Sequence, residues 1–268
     1  MTLPSDDFPR QLKGWRAKCG VSQLELSLRR DVSQKHISFL ELARTTPSRG
    51  MVMQIGEALD LPLRDRNTLL LAAGFAPAYK ESALSEPELA AVDQALTMML
   101  DQQEPFPAFV VGKNFDILRA NRGAMALAAL LFDVTDPAGM PDMSGALIRG
   151  LFHPDGFRRY ITNWEEVASY VLRQLQSEVL AHGSPPELVA LLEELESYDG
   201  VPEDWKRPQP LDRQTPVLTL DIEKDGVTLS FFTTVATLGT PLDVALQEIK
   251  IESYFPADDA TRRFFMDS

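Results

Sequence analysis

The stretch Ser22-Gln23-Leu24-Glu25-Leu26, then Val32-Ser33-Gln34-Lys35-His36-Ile37-Ser38-Phe39-Leu40-Glu41, decides how the N-terminal third is read. Ser22 and Glu25 stand in capping-box spacing: the serine accepts from the third helical N–H and the glutamate reaches back. Asp31-Val32-Ser33 interrupts, and Ser33 is placed to cap a second helix with Ile37 and Leu40 at helical spacing. Leu26, Val32, Ile37 and Leu40 then face inward and leave Gln34, Lys35, His36 and Ser38 outward. Two short helices so joined form a helix–turn–helix, whose second helix can lie in the major groove of duplex DNA while the first crosses the backbone. Gln and Lys on that helix can reach base edges or phosphates. A plain helical bundle with solvated polar faces is the alternative.

Further along, Pro47-Ser48 opens a third segment through Met51, Ile55 and Leu59 that stops before Pro62, and a fourth runs from Leu63 to Ala73, ended by Gly74. Residues 9–73 therefore read as four or five short helices in a compact all-α bundle. Charge supports a nucleic-acid role for this part alone. The 268-residue chain has a net charge of −13, yet residues 1–80 hold 12 Lys and Arg against 8 Asp and Glu, a net of +4. Residues 81–268 hold 14 against 31, a net of −17, so a small basic module is joined to an acidic one.

Residues 81–104 are acidic and helical in pattern, which makes them a connecting helix. Pro105 and Pro107 mark a boundary, after which Ala108–Val111 and Phe115–Leu118 read as strands around the turn-like Gly112-Lys113-Asn114. Asn121 is placed to cap a helix over Ala124 to Leu131, and two amphipathic helices follow over Trp164 to Ala181 and Pro186 to Leu195. Val217–Ile222 and Val227–Phe232 flank Asp225-Gly226, a strong hairpin signal, and Leu246 to Tyr254 alternates as a closing strand. Two strands, several helices and three more strands predict an α+β domain with an antiparallel sheet. The fold class expected is α+β overall, with domains at 1–80, 81–104 (the connecting helix) and 105–268.

Several functions are disfavoured. There is no Gly-x-Ser-x-Gly elbow, no Gly-x-Gly-x-x-Gly and no phosphate loop, so no enzyme and no catalytic residue is expected. One cysteine, Cys19, cannot build an intrachain disulfide or a cysteine zinc cage, and it reads as a small buried thiol whose pKa Lys18 would lower slightly. No His, Cys, Asp or Glu spacing matches a zinc site. His153 reads as part of a helix-start turn and His182 as a helix end. No run approaches the ~20 apolar residues that span a bilayer, and Met1–Pro9 has no secretory pattern. A cytoplasmic, metal-free protein without a membrane partner is the default.

The residues also carry a family resemblance. Ser22–Leu26, Val32-Ser33, Ile37–Glu41 and Pro47-Ser48-Arg49 resemble the lambda-repressor-like (Xre-type) helix–turn–helix, although Asp31 stands where that turn often has Gly. Leu61–Asn67 with Leu71–Pro77 resembles bacterial regulators carrying a C-terminal MmyB-like ligand-binding domain. Phe152-His153-Pro154-Asp155-Gly156, Asn163–Glu166, Gly239–Asp243 and Glu252–Pro256 agree with it. The resemblance implies a PAS-like sensor domain and a small apolar ligand, of fatty-acid character in at least some members; no cofactor is expected. It also implies that Gln23 and Arg49 touch phosphates while Gln34, Lys35, His36 and Ser38 reach base edges.

The sensor half holds enough aromatic volume to line a cavity, with Phe109, Met125 and Phe231 as candidate ligand-binding residues. A carboxylate ligand needs one or two donors in an apolar wall, for which Arg158, Asn163 and Trp164 are the candidates. The partners expected are a double-stranded DNA operator, the fatty-acid-like ligand and a second copy of the chain, since one such module makes few base contacts. The competing readings are a sensor half that binds a protein partner and a PAS-like enzyme that holds a cofactor.

Overall fold

The computed structural model describes residues 7–29, 32–133, 146–181, 185–207 and 217–267. The chain divides into two compact units: the described residues of Met1–Ser82, Leu180–Ser184 and Thr240–Gln247 form one, and the remainder the other.

Up to Ala72 the regular elements of the N-terminal unit are helices among the described residues: α1 (Asp7–Lys18), α2 (Gln23–Arg29), α3 (Gln34–Glu41), α4 (Arg49–Ala58) and α5 (Leu63–Ala72). Ser33 and Ser48 start α3 and α4 by accepting from the His36 and Met51 N–H groups at 3.2 Å. Ser22 likewise accepts from Glu25 N–H at 3.0 Å, but the reciprocal half of the capping box is absent, because the Glu25 carboxylate pairs with Arg29 one turn on at 2.6 Å. Leu26, Ile37 and Leu40 are fully buried as expected, joined by Phe8 and Leu12 of α1, Val52 and Ile55 of α4, and Leu69 and Leu70 of α5. Burying such side chains contributes about 1.5–3 kcal/mol each, which offsets the weak intrinsic stability of helices this short.

The second unit carries α6 (Ala90–Gln103), β1 (Ala108–Val111), β2 (Ile117–Ala120), α7 (Arg122–Phe132), α8 (Ala146–Phe152), most of α9 (Trp164–Ala181), α10 (Pro186–Glu196), β3 (Leu220–Lys224), β4 (Val227–Thr237), β5 (Lys250–Pro256) and α12 (Asp259–Met266); α11 (Val244–Glu248) lies in the connection from β4 to β5. The five strands form one antiparallel sheet in the order β2-β1-β5-β4-β3, which is the arrangement of a PAS-like fold and gives the chain its α+β class. β1 lies inside the sheet and is buried along its whole length, with α6 and α7 both packing on it, which is why Ala-Phe-Val-Val is apolar throughout rather than alternating. Asp225 (φ 50°) and Gly226 (φ 81°) both take the left-handed conformation that a two-residue hairpin turn needs.

The differences from expectation have local causes. β2 starts at Ile117 rather than Phe115, because Lys113–Phe115 winds into a single 3-10 turn with Phe115 at φ 65°. The closing strand starts at Lys250, not Leu246: the Asp243 carboxylate accepts from Ala245 N–H at 2.9 Å and turns the preceding residues into α11. α12 was not anticipated; Asp258 caps it by accepting from Thr261 N–H at 2.7 Å. The predicted strand at 217–222 lies at Leu220–Lys224 instead, and β4 runs on to Thr237.

Candidate functional site

In the N-terminal unit, α3 presents Gln34 and Lys35 to solvent, with His36 and Ser38 half-buried beside them. The Lys35 ammonium stands 5.4 Å from the centroid of the Phe39 ring and the Arg44 guanidinium 5.8 Å from the same ring, so one aromatic side chain holds two cations. Arg49, at the first turn of α4, is exposed. Together these side chains form a polar and cationic surface on the second helix of the pair and the start of the next.

Beneath it lies a network that sequence reasoning missed. Arg16 of α1 donates from Nε to Glu41 Oε1 at 2.6 Å, from Nη2 to Glu41 Oε2 at 3.2 Å and from Nη1 to the Val21 carbonyl at 2.9 Å. Gln23, a candidate phosphate contact, donates from Nε2 to Glu41 Oε2 at 2.7 Å. Burial acts to raise the Glu41 carboxyl, but the hydrogen bonds from Arg16 and Gln23 overcome it and hold it below the ordinary carboxylate value. Glu41 thereby locks the end of α3 to α1 and orients Gln23 at the start of α2. A pair 25 residues apart leaves no periodic trace in the sequence. Cys19 differs from expectation: it is exposed, and desolvation pushes its thiol upward, so it is a weaker nucleophile than an ordinary cysteine. Asp31 and His182 lie outside the described residues.

In the second unit, register places Phe109, Glu252 and Val235 side by side on one face of the sheet, flanked by the row Val111, Lys250 and Thr237. Phe109 and Phe231 both meet Tyr254 edge-on, with ring centroids at 5.7 and 6.1 Å. Phe109, Phe231 and Tyr254 share one buried cluster with Ala124 and Leu127 of α7 and Phe265 of α12, and Met125 is half-buried on α7. Along the outer half of β4 the covering stops: Thr233, Val235 and Thr237 are exposed. Lys250 pairs with Glu178 of α9 and lies over the Phe115 ring at 5.0 Å. Burial pushes the neighbouring Glu252 carboxyl above its ordinary value, with Lys250 opposing and Glu178 adding. This part of the sheet is an apolar face with one polar stripe.

Arg158, Asn163 and Trp164 come together at the edge of β3. Asn163 donates from Nδ2 to the Thr219 carbonyl at 2.7 Å and accepts from Asp221 N–H at 3.1 Å. Trp164 donates from Nε1 to the Gly200 carbonyl at 3.0 Å, and its ring carries the Arg158 guanidinium at 4.8 Å. Gly200, at φ 72°, is packed so closely by Arg158 that a Cβ there would sit 2.3 Å from Nη2. Asn163 and Trp164 therefore use their polar atoms to hold backbone. Arg158 is the side chain of the three whose donors the described hydrogen bonds leave uncommitted.

A family model for the MmyB-like transcription regulator ligand binding domain matches residues 92–266. The chain belongs to this family. No curated protein matches it. Among solved structures it is similar to "Structure of an RNA-binding Light-Oxygen-Voltage Receptor", at 12% identity and a TM-score of 0.28, over 98% of this chain and 62% of that one. The chain thus spans less than two thirds of that structure's length, and no argument rests on the likeness.

The MmyB-like domain is organised around side chains that the sequence marks only as a cap or as parts of turns. Asn121, buried at 6% exposure, accepts through Oδ1 from Ala108 N–H and Ala124 N–H, both at 2.9 Å, and donates through Nδ2 to the Phe106 and Leu100 carbonyls at 2.8 and 3.3 Å. One amide thus ties α6, β1 and α7 together. Lys224 closes the other end of α7 by donating to the Leu130 carbonyl at 2.7 Å and to Asp133. His153 follows α8 rather than opening a helix, and its Nδ1 accepts from Asp155 N–H at 3.1 Å. Among the described residues no helix is long and apolar enough to cross a membrane, and no group of His, Cys, Asp and Glu could hold a metal ion.

Proposed function

We propose that this chain is a sequence-specific DNA-binding transcriptional regulator whose MmyB-like domain binds a small apolar ligand, of fatty-acid character, that modulates DNA binding. The family supplies the coarser statement, a ligand-binding domain of a transcription regulator. The observation that carries the DNA half is the α2–α3 pair. Its buried seam of Leu26, Ile37 and Leu40 and its Arg16–Glu41 lock leave Gln34 and Lys35 free on the outer surface of α3. In this reading α3 enters the major groove, Gln34, Lys35, His36 and Ser38 face base edges, and Gln23 and Arg49 hold phosphates. Glu41 orients Gln23 for that contact. Two copies reading half-sites about one helical turn apart supply the specificity that one module lacks.

For the ligand half, the wall is Phe109, Phe231 and Met125, with Arg158 as the donor and Asn163 and Trp164 positioning it. Glu252 adds to this reading. Burial pushes its carboxyl above the ordinary value, so it opposes a nearby ligand carboxylate less than a solvated glutamate would. The ligand shifts DNA affinity only by as much as it prefers one state of the protein over the other.

The test is fluorescence anisotropy with the DNA upstream of the protein's own gene, at fixed salt, with and without palmitate. Saturable binding that resists scrambled competitor and moves severalfold with palmitate supports the whole reading. Specific binding that ignores fatty acids of every length removes the ligand assignment. The absence of any sequence preference removes the promoter assignment.

A further inference from the structure

The segment Thr240–Gln247 is the connection between β4 and β5, yet it is part of the N-terminal compact unit. Three polar tethers hold it there, each to backbone. Gln247 Oε1 accepts from Leu63 N–H at 2.6 Å. Val244 N–H donates to the Lys80 carbonyl at 2.8 Å. Asp243 accepts from Ser82 N–H at 3.1 Å through Oδ2. Val244 is buried, while Leu242 before it is exposed, so the segment is pinned at some points and free at others.

The contact to Leu63 has particular weight. Leu63 is the first residue of α5, and its N–H is one of the four that a helix leaves without an internal partner. The preceding residue, Pro62, has no side chain able to cap it. α5 is therefore completed by a glutamine 184 positions further along the chain. α5 in turn packs on α1 and α4, and its Asn67 accepts from Ala78 and Tyr79 N–H at 2.9 and 3.1 Å, fastening the same segment that leads to Ser82. At its other ends the connection runs straight into the sheet, because Thr237 and Lys250 are the last paired residues of the β4–β5 ladder. β4 carries Phe231 and β5 carries Glu252 and Tyr254, the residues of the candidate ligand face.

We infer that the β4–β5 connection is the coupling element of this regulator: a change in the β4–β5 ladder is delivered to α5 through Gln247 and Asp243. The proposal rests on the ligand-binding reading for its trigger but not for its path. The ladder and α5 share a covalent segment whose far side caps the helix, which gives a displacement of the ladder's ends a route to the cap. Asp243 and Gln247 are positioning residues; neither needs to touch ligand or DNA.

The test is amide hydrogen exchange on the full chain, comparing wild type with Gln247→Ala, an exposed position where alanine leaves the core intact, and with Asp243→Ala/Gln247→Ala. The ladder is disturbed in two ways, by saturating palmitate and by Phe231→Leu in the sheet. In the wild-type background, exchange in the peptide spanning Leu63–Asn67 should change by about fivefold or more, the lower end of ordinary coupling between sites. In the Gln247→Ala background the same disturbances should move that peptide less, and in the double variant leave it unchanged, while still altering β4 and β5. An α5 response that survives in both variants overturns the proposal, as does an α5 that ignores Phe231→Leu in the wild-type background. If palmitate does nothing anywhere but Phe231→Leu still reaches α5 through Gln247, the coupling stands and the fatty-acid assignment fails.

Discussion

Replacing Asn121 with alanine removes four hydrogen bonds from one buried point, and its cost can be worked through bond by bond. The loss of the N-cap contact to Ala124 N–H costs about 1 kcal/mol, as helix caps ordinarily do. Ala108 N–H is left inside the sheet with no acceptor, and an unsatisfied buried donor costs about 1–3 kcal/mol. The Phe106 and Leu100 carbonyls lose their donor but keep part of their hydration options, adding about 1 kcal/mol between them. The total is about 3–5 kcal/mol, so at about 2–4 °C per kcal/mol the melting of the MmyB-like domain should fall by roughly 6–20 °C. Differential scanning calorimetry reads the shift, and amide exchange in peptides covering α6, β1 and α7 localises it. Asn121→Asp should do less damage, since it keeps the acceptor that serves both N–H groups. A drop of under about 3 °C for the alanine variant would refute the argument that this amide holds three elements together.

Three further outcomes are expected. Because burial raises the Glu252 carboxyl, the folded state holds its proton to higher pH than the unfolded chain does, and stability falls as pH rises through and above the ordinary carboxylate range. Glu252→Gln should therefore melt above wild type at about pH 7.5, with the gap closing by about pH 4, and a gap that does not change with pH would exclude the titration as its cause. Glu41 has the opposite sign: hydrogen bonds hold it low, so its contribution is present above the ordinary carboxylate range and is lost as pH falls through its depressed value. Glu41→Leu leaves the half-buried Arg16 without its carboxylate and should destabilise the N-terminal unit by about 1–3 kcal/mol, seen as faster exchange in α1 and α3. Lys35→Ala should weaken DNA binding and reduce the slope of log affinity against log salt by about 0.9 if the ammonium neutralises one phosphate; an unchanged slope would place Lys35 off the backbone.

What could be read from the sequence follows from how far each signal reaches along the chain. The helices of the N-terminal unit announce themselves through Ser33, Ser48 and the spacing of Ile37 and Leu40, all within one or two turns. The β3–β4 hairpin was legible because Asp225-Gly226 sits between two alternating runs. β4 was underestimated because Thr233–Thr237 is exposed on the sheet and carries no apolar alternation to mark it. The end of α11 reads as strand because Leu246 leads into the alternating Ile249-Lys250-Ile251-Glu252, and what curls it is the Asp243 cap. In the candidate site, the outward residues of α3 followed from helical geometry. The Arg16–Glu41–Gln23 lock did not, since its members come from three helices. Asn121 was seen as a cap, but its service to β1 and α6 depends on a sheet that the sequence does not lay out.

The strand order also sets a schedule for making the protein. β1 hydrogen-bonds to β2, a few residues away, but its other edge belongs to β5, with Ala108 opposite Ser253, 145 positions further along the chain. As the chain leaves a ribosome, the most apolar strand of the sheet therefore waits with one side open until most of the domain has emerged. Contacts of that span slow folding, and a bare, uncharged edge invites pairing with another chain in the interval. Nascent chains released before Lys250 should accordingly be captured by chaperones or aggregate, whereas chains that extend past Pro256 can close the sheet.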